Sequence, residues 1–92
     1  MERVNGENRG DVVLYALSTC GWCRKTRELL EELGVEYSYV YVDMLPPGEE
    51  KDQARKEVLK WNDHQSFPTI VIDNERAIVG YAADEIREAL GK

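Results

Sequence analysis

Two cysteines, Cys20 and Cys23, stand three residues apart in the stretch Ser18-Thr19-Cys20-Gly21-Trp22-Cys23-Arg24-Lys25, and the chain has no others. Two thiols at this spacing can close and reopen a disulfide, supply half of a metal site, or fill a core. A tetrahedral zinc site needs four ligands. His64 is the single histidine and does not complete the set, so no metal is expected. Core filler is a poor account of cysteines that flank Gly21-Trp22 between an apolar run and a helical pattern. Reversible thiol–disulfide chemistry is the reading that uses both residues. A second feature points the same way. Pro68 follows Phe67 directly before the apolar run Thr69-Ile70-Val71-Ile72, and an aromatic residue before proline favours a cis bond.

The elements that must position these residues are legible in the periodicity. Val12 to Leu17 is continuously apolar, the mark of a strand covered on both faces. From Trp22 to Leu33 the period becomes helical, with Cys23, Thr26, Leu30 and Leu33 on one face and Gly34 as the stop. Residues 35–43 alternate, with Tyr37, Tyr39 and Tyr41 on one side and Val40 and Val42 on the other, which predicts a strand. Pro46-Pro47-Gly48 opens a second helix whose early Glu49, Glu50 and Asp52 suit the positive end of its dipole. Ala54, Val58 and Trp61 form its inward stripe. Residues 69–73 predict a third strand, and a turn at Asn74-Glu75 leads to a fourth at residues 77–79. Ala83, Ile86 and Leu90 then space out a last helix that ends at Gly91. The order is β-α-β-α-β-β-α, an α/β domain with a four-stranded mixed sheet flanked by helices.

In this arrangement Cys20 opens the first helix, where free N–H groups and the dipole favour a thiolate. Cys23 lies one turn further in and is less exposed. The expected division is that Cys20 attacks and Cys23 resolves. The helix charges are reversed for stability, with Arg24, Lys25 and Arg27 near its positive end and Glu31 and Glu32 near its negative end. Cations beside a thiolate give that reversal a use.

The chain's 92 residues suffice for one domain: a flexible tail over 1–10 and a folded domain over 11–92. A net charge of −6 leaves no basic face for phosphate, so nucleic acid is not expected as a partner. No apolar run approaches the ~18 residues of a membrane span. The polar start "MERVNGENRG" has no apolar leader, so a reducing, cytoplasmic setting is expected.

Taken together, "STCGWCRKTRELLEELGVEY", "SFPTIVID" and "VGYAADEIREAL" resemble segments of glutaredoxins, in the same order, over about residues 11 to 91. The resemblance implies a thioredoxin fold and a thiol–disulfide oxidoreductase that needs no organic cofactor beyond its Cys20–Cys23 disulfide. Cys20 matches the nucleophile, Cys23 the resolving thiol and Pro68 a cis-proline that exposes the Phe67 backbone to substrate. Gly80 matches the glycine near the substrate groove, and Trp22 and Tyr81 are placed in that groove with it. Disulfide-bearing proteins are the implied partners of an expected monomer, with glutathione or a dithiol reductase such as thioredoxin reductase as electron source. Many glutathione-using members carry a lysine three residues before the first cysteine and a polar pair after the glycine. Here those positions hold Leu17 and Ala82-Ala83. The segment Gly80-Tyr81-Ala82-Ala83-Asp84 is more similar to that of NrdH-redoxins, electron donors to ribonucleotide reductase. Gly21 is also compatible with an alternative, a glutaredoxin that carries an iron–sulfur cluster.

Overall fold

The computed structural model describes residues 1–91; Lys92, the last residue of the expected domain, lies outside the described residues. Nine elements follow one another along the chain. They are β1 (Glu2–Val4), β2 (Val12–Ala16), α1 (Gly21–Leu33), β3 (Tyr37–Tyr41), a 3-10 turn (Val42–Met44), α2 (Glu49–Trp61), β4 (Thr69–Ile72), β5 (Arg76–Val79) and α3 (Ala83–Leu90). The sheet order is β1-β3-β2-β4-β5. β2 and β3 run parallel, with Leu14 opposite Tyr39. The other pairs are antiparallel, with Leu14 opposite Ile70 and Ile70 opposite Ile78.

Because side chains alternate along a strand, the apolar runs feed two cores at once. Val12, Leu14, Ala16, Ile70, Ile72 and Ile78 meet Cys23, Leu29, Leu30, Ile86 and Leu90 of α1 and α3. Tyr15, Val40 and Val71 point the other way and pack with Val42 against Ala54 and Val58 of α2. Each large apolar side chain buried this way contributes roughly 1.5–3 kcal/mol. Gly34 ends α1 as expected: at φ 70° it adopts the left-handed conformation, and its N–H donates back to Leu30 and Glu31.

Two expectations need correction. The sheet has five strands, not four, because part of the segment read as a tail supplies β1. An edge strand of three residues pairs through its backbone and needs no alternating pattern, so the polar sequence gave no sign of it. Arg3 holds Glu36 at 2.7 Å, and Val4 packs on the core. The segment is docked further along, where the Glu7 N–H donates to the Gly34 carbonyl and the Glu36 N–H to the Glu7 carbonyl. In addition, β3 stops at Tyr41, and Val42–Met44 coils into the 3-10 turn.

Gly6 is required by this docking. A Cβ there would fall 2.6 Å from the Val35 carbonyl carbon and 2.7 Å from the Gly34 oxygen, which are backbone atoms with little room to yield. Gly6→Ala is expected to cost about 1–3 kcal/mol and to speed hydrogen exchange at the Glu36 amide. Unchanged thermal stability and unchanged Glu36 protection would contradict this packing.

Candidate active site

Cys20 is the N-cap of α1, in extended conformation, and its Sγ accepts the Cys23 N–H at 3.1 Å. An N–H aimed at sulfur from the positive end of a helix dipole stabilises negative charge there. Cys20 is half-buried, whereas Cys23 is 1% exposed, and both are free thiols. Burial pushes the Cys23 thiol up to about 12, and its hydrogen bond to Cys20 adds to the effect. The pair is therefore asymmetric: an accessible sulfur that receives hydrogen bonds, and a covered sulfur that keeps its proton.

The turn before Cys20 is held from outside. The Ser18 N–H donates to Asp43 Oδ1 at 2.9 Å, and the Ser18 hydroxyl donates to Asp43 Oδ2. These bonds keep the Asp43 carboxyl below its ordinary range. Asp43 belongs to the 3-10 turn, so the β2–α1 connection is tied to the end of β3. Sequence reasoning missed this contact, because two polar residues 25 positions apart carry no periodic signal.

The remaining expected residues converge. Trp22, Phe67, Pro68, Gly80 and Tyr81 line one open groove of about 220 Å³, and Trp22 belongs to the first turn of the helix that Cys20 caps. The Phe67–Pro68 peptide is cis. The Gly80 N–H donates to the Pro68 carbonyl at 2.8 Å, from a glycine at φ 86° that a side chain would strain. Upstream, the Thr69 hydroxyl and Asn62 Nδ2 both donate to the Ser66 carbonyl, at 2.7 and 2.9 Å, and shape the loop into Phe67. Among the described residues, neither backbone polar group of Phe67 has a hydrogen-bond partner. Trp22 is 58% exposed yet stacks on Tyr81, with centroids 5.7 Å apart and planes at 29°. His64 is exposed in the loop.

The basic trio does not act as a unit. Lys25 Nζ sits 4.8 Å from the centre of the Trp22 ring, at the site. Arg27 is drawn away instead. Its guanidinium lies 3.8 Å from the Tyr39 ring centre, donates to the hydroxyls of Tyr37 and Tyr41, and is 3.5 Å from Glu31. Its charge is used to fasten α1 to the tyrosine stripe of β3, away from the cysteines.

A second hollow, of about 310 Å³, shares Phe67 with the groove and is lined by Leu17, Val42, Asp43, Lys51, Arg55 and Gln65. Lys51 and Arg55 come from α2. Thus the absence of a cation at position 17 does not leave that side of the site uncharged. No group of three or more His, Cys, Asp or Glu among the described residues is placed to hold a metal ion. Among the described residues, no helix is long and apolar enough to cross a membrane.

Comparison with known proteins accords with this geometry. The glutaredoxin family model matches residues 12–77. A glutaredoxin-like 8.6 kDa protein from the rubredoxin operon of Clostridium pasteurianum is 30% identical over 81 residues, 88% of this chain and 99% of that protein. The crystal structure of a glutaredoxin from Methanosarcina mazei superposes with a TM-score of 0.94 at 52% identity, covering 99% of this chain and 87% of that one. Methanoredoxin from Methanosarcina acetivorans superposes with a TM-score of 0.90, also at 52% identity, covering 95% and 90%. The chain belongs to the glutaredoxin family, redox proteins of the thioredoxin fold, and carries the close cysteine pair on which thiol–disulfide exchange depends.

Proposed function

We propose that the protein is a dithiol oxidoreductase that reduces protein disulfides through Cys20 and Cys23, and that a dithiol reductase recharges it better than glutathione does. The observation that carries this reading is the asymmetry of the pair, one sulfur accessible at the helix cap and the other buried beneath it. The Cys20 thiolate attacks a substrate disulfide, forming a mixed disulfide and releasing one substrate thiolate, which takes a proton from solvent. Cys23 then loses its proton and attacks Cys20 Sγ. The second substrate thiolate leaves, and the two electrons of the dithiol have passed to the substrate.

The order of these steps is built into the electrostatics. Besides burial and a smaller push from the Asp43 carboxylate, what holds the proton on Cys23 is its hydrogen bond to Cys20 and the charge there. Once Cys20 is consumed in the mixed disulfide, that charge is gone and Cys23 ionises more readily. The unpaired backbone of Phe67 supports docking of an extended substrate chain beside the cysteines. A ribonucleotide reductase would be one substrate of this kind, by the likeness of Gly80–Asp84 to NrdH-redoxins.

For the reductant, Ala82 and Ala83 still offer no polar side chain to the γ-glutamyl end of glutathione. Losing one charge-assisted contact costs about 1.5–3 kcal/mol, roughly a ten- to hundredfold loss in recognition. Lys51 and Arg55 offset the other loss expected from Leu17. Recycling of the Cys20–Cys23 disulfide is therefore expected to be at least tenfold faster with thioredoxin reductase than with glutathione and glutathione reductase. Efficient turnover with glutathione alone would overturn the reductant assignment.

A further inference from the structure

The cysteine groove presents an aromatic surface that is exposed but not loose. Trp22 is held by Tyr81 on one side and by the Lys25 ammonium 4.8 Å from its ring centre. An exposed ring already fixed by neighbours loses little conformational freedom when a partner covers it. The groove beside it is lined by Trp22, Phe67, Pro68, Gly80 and Tyr81, none of which carries a charge. Phe67 adds a free backbone donor and acceptor. Uncharged walls with unpaired main-chain groups match an extended polypeptide bearing a large apolar side chain.

Charge then narrows the choice. The chain as a whole is acidic, at −6, but the first turn of α1 contains no acidic residue, and Arg24 and Lys25 follow Cys23 directly. The acidic residues nearest Tyr81 in sequence, Asp84 and Glu85, open α3. Lys25 is the charge in contact with the aromatic stack itself. Resting on the oxidoreductase reading above, we propose that Lys25 and the Trp22–Tyr81 stack form a specificity element for protein disulfides whose reacting cysteine neighbours an aromatic residue and a carboxylate. The aromatic residue covers the stack, and the carboxylate pairs with Lys25.

The test uses the reduced Cys23→Ser protein, in which reaction stops at the mixed disulfide. Four peptides of equal length each carry one cysteine as a thiopyridyl disulfide. They are flanked by Trp and Glu, Trp and Lys, Ala and Glu, or Ala and Lys, and release of thiopyridone gives the rate. The Trp and Glu peptide is expected to react fastest. At low salt the Glu-to-Lys rate ratio should be about 1.5- to fivefold, the range of an exposed ion pair, and it should shrink as salt is added. Lys25→Gln should bring that ratio to one, and Lys25→Glu should invert it. Trp22→Ala should remove the advantage of Trp over Ala peptides. Because each variant is scored by a ratio between peptides, a general change in Cys20 reactivity cancels. A ratio of one in the parent protein, or a ratio unaffected by Lys25→Glu, would overturn the proposal while leaving the oxidoreductase intact. No transfer from any peptide would overturn both.

Discussion

Cys20→Ser is expected to abolish disulfide reduction, leaving only the uncatalysed background. A serine hydroxyl at the cap of α1 is not ionised near neutral pH and has no adjacent base to activate it. Cys23 cannot take over, since it is buried and keeps its proton. Cys23→Ser should behave in the opposite way. It retains the accessible sulfur, so the first attack proceeds and the protein accumulates as a mixed disulfide, one substrate per chain. Mass spectrometry of each variant after mixing with a disulfide-bearing protein separates the two results. A Cys20→Ser variant that forms mixed disulfides as readily as Cys23→Ser would reverse the assigned roles.

The second large effect concerns the Cys23 thiol. With its titration pushed up to about 12 by burial and by Cys20, Cys23 holds its proton at pH 7 more firmly than an ordinary cysteine does. Alkylation of Cys23 in the folded Cys20→Ser protein should be at least a hundredfold slower than alkylation of Cys20 in Cys23→Ser, even though loss of Cys20 relieves part of the shift. The same shift bears on stability. Cys23 binds its proton more tightly folded than unfolded, so its contribution is complete below the ordinary value near 9 and is lost as pH rises towards 12. Reduced protein should therefore lose stability between pH 9 and 11 more steeply than Cys23→Ala does, by thermal unfolding under reducing conditions. Parallel pH curves for the two would show that Cys23 is not held in its thiol form by the fold.

Much of this protein is written in short-range signals. The change from an apolar run to a helical period places Cys20 at a helix cap, because strand end, cap and first turn are set within a few residues of one another. Gly34 and Gly91 stop their helices through the left-handed backbone that glycine adopts easily. The alternation of β3 correctly separates its tyrosines from Val40 and Val42. The proximity of Phe67 and Pro68 to Gly80 and Tyr81 follows from a hairpin whose turn is local.

What the tertiary structure alone decided are contacts between residues that share no period. β1 joins the sheet through backbone bonds, to which side-chain pattern is blind. Ser18 finds Asp43, and Arg27 leaves the cysteines for three tyrosines of β3, because a long cation settles where hydroxyls and ring faces meet it after α1 has packed. Lys51 and Arg55 reach the hollow beside Leu17 only because α2 crosses that face of the sheet. Helix and strand identity are determined by neighbours along the chain. Where a flexible charged side chain ends up is determined by neighbours in space, and those exist only once the sheet has formed.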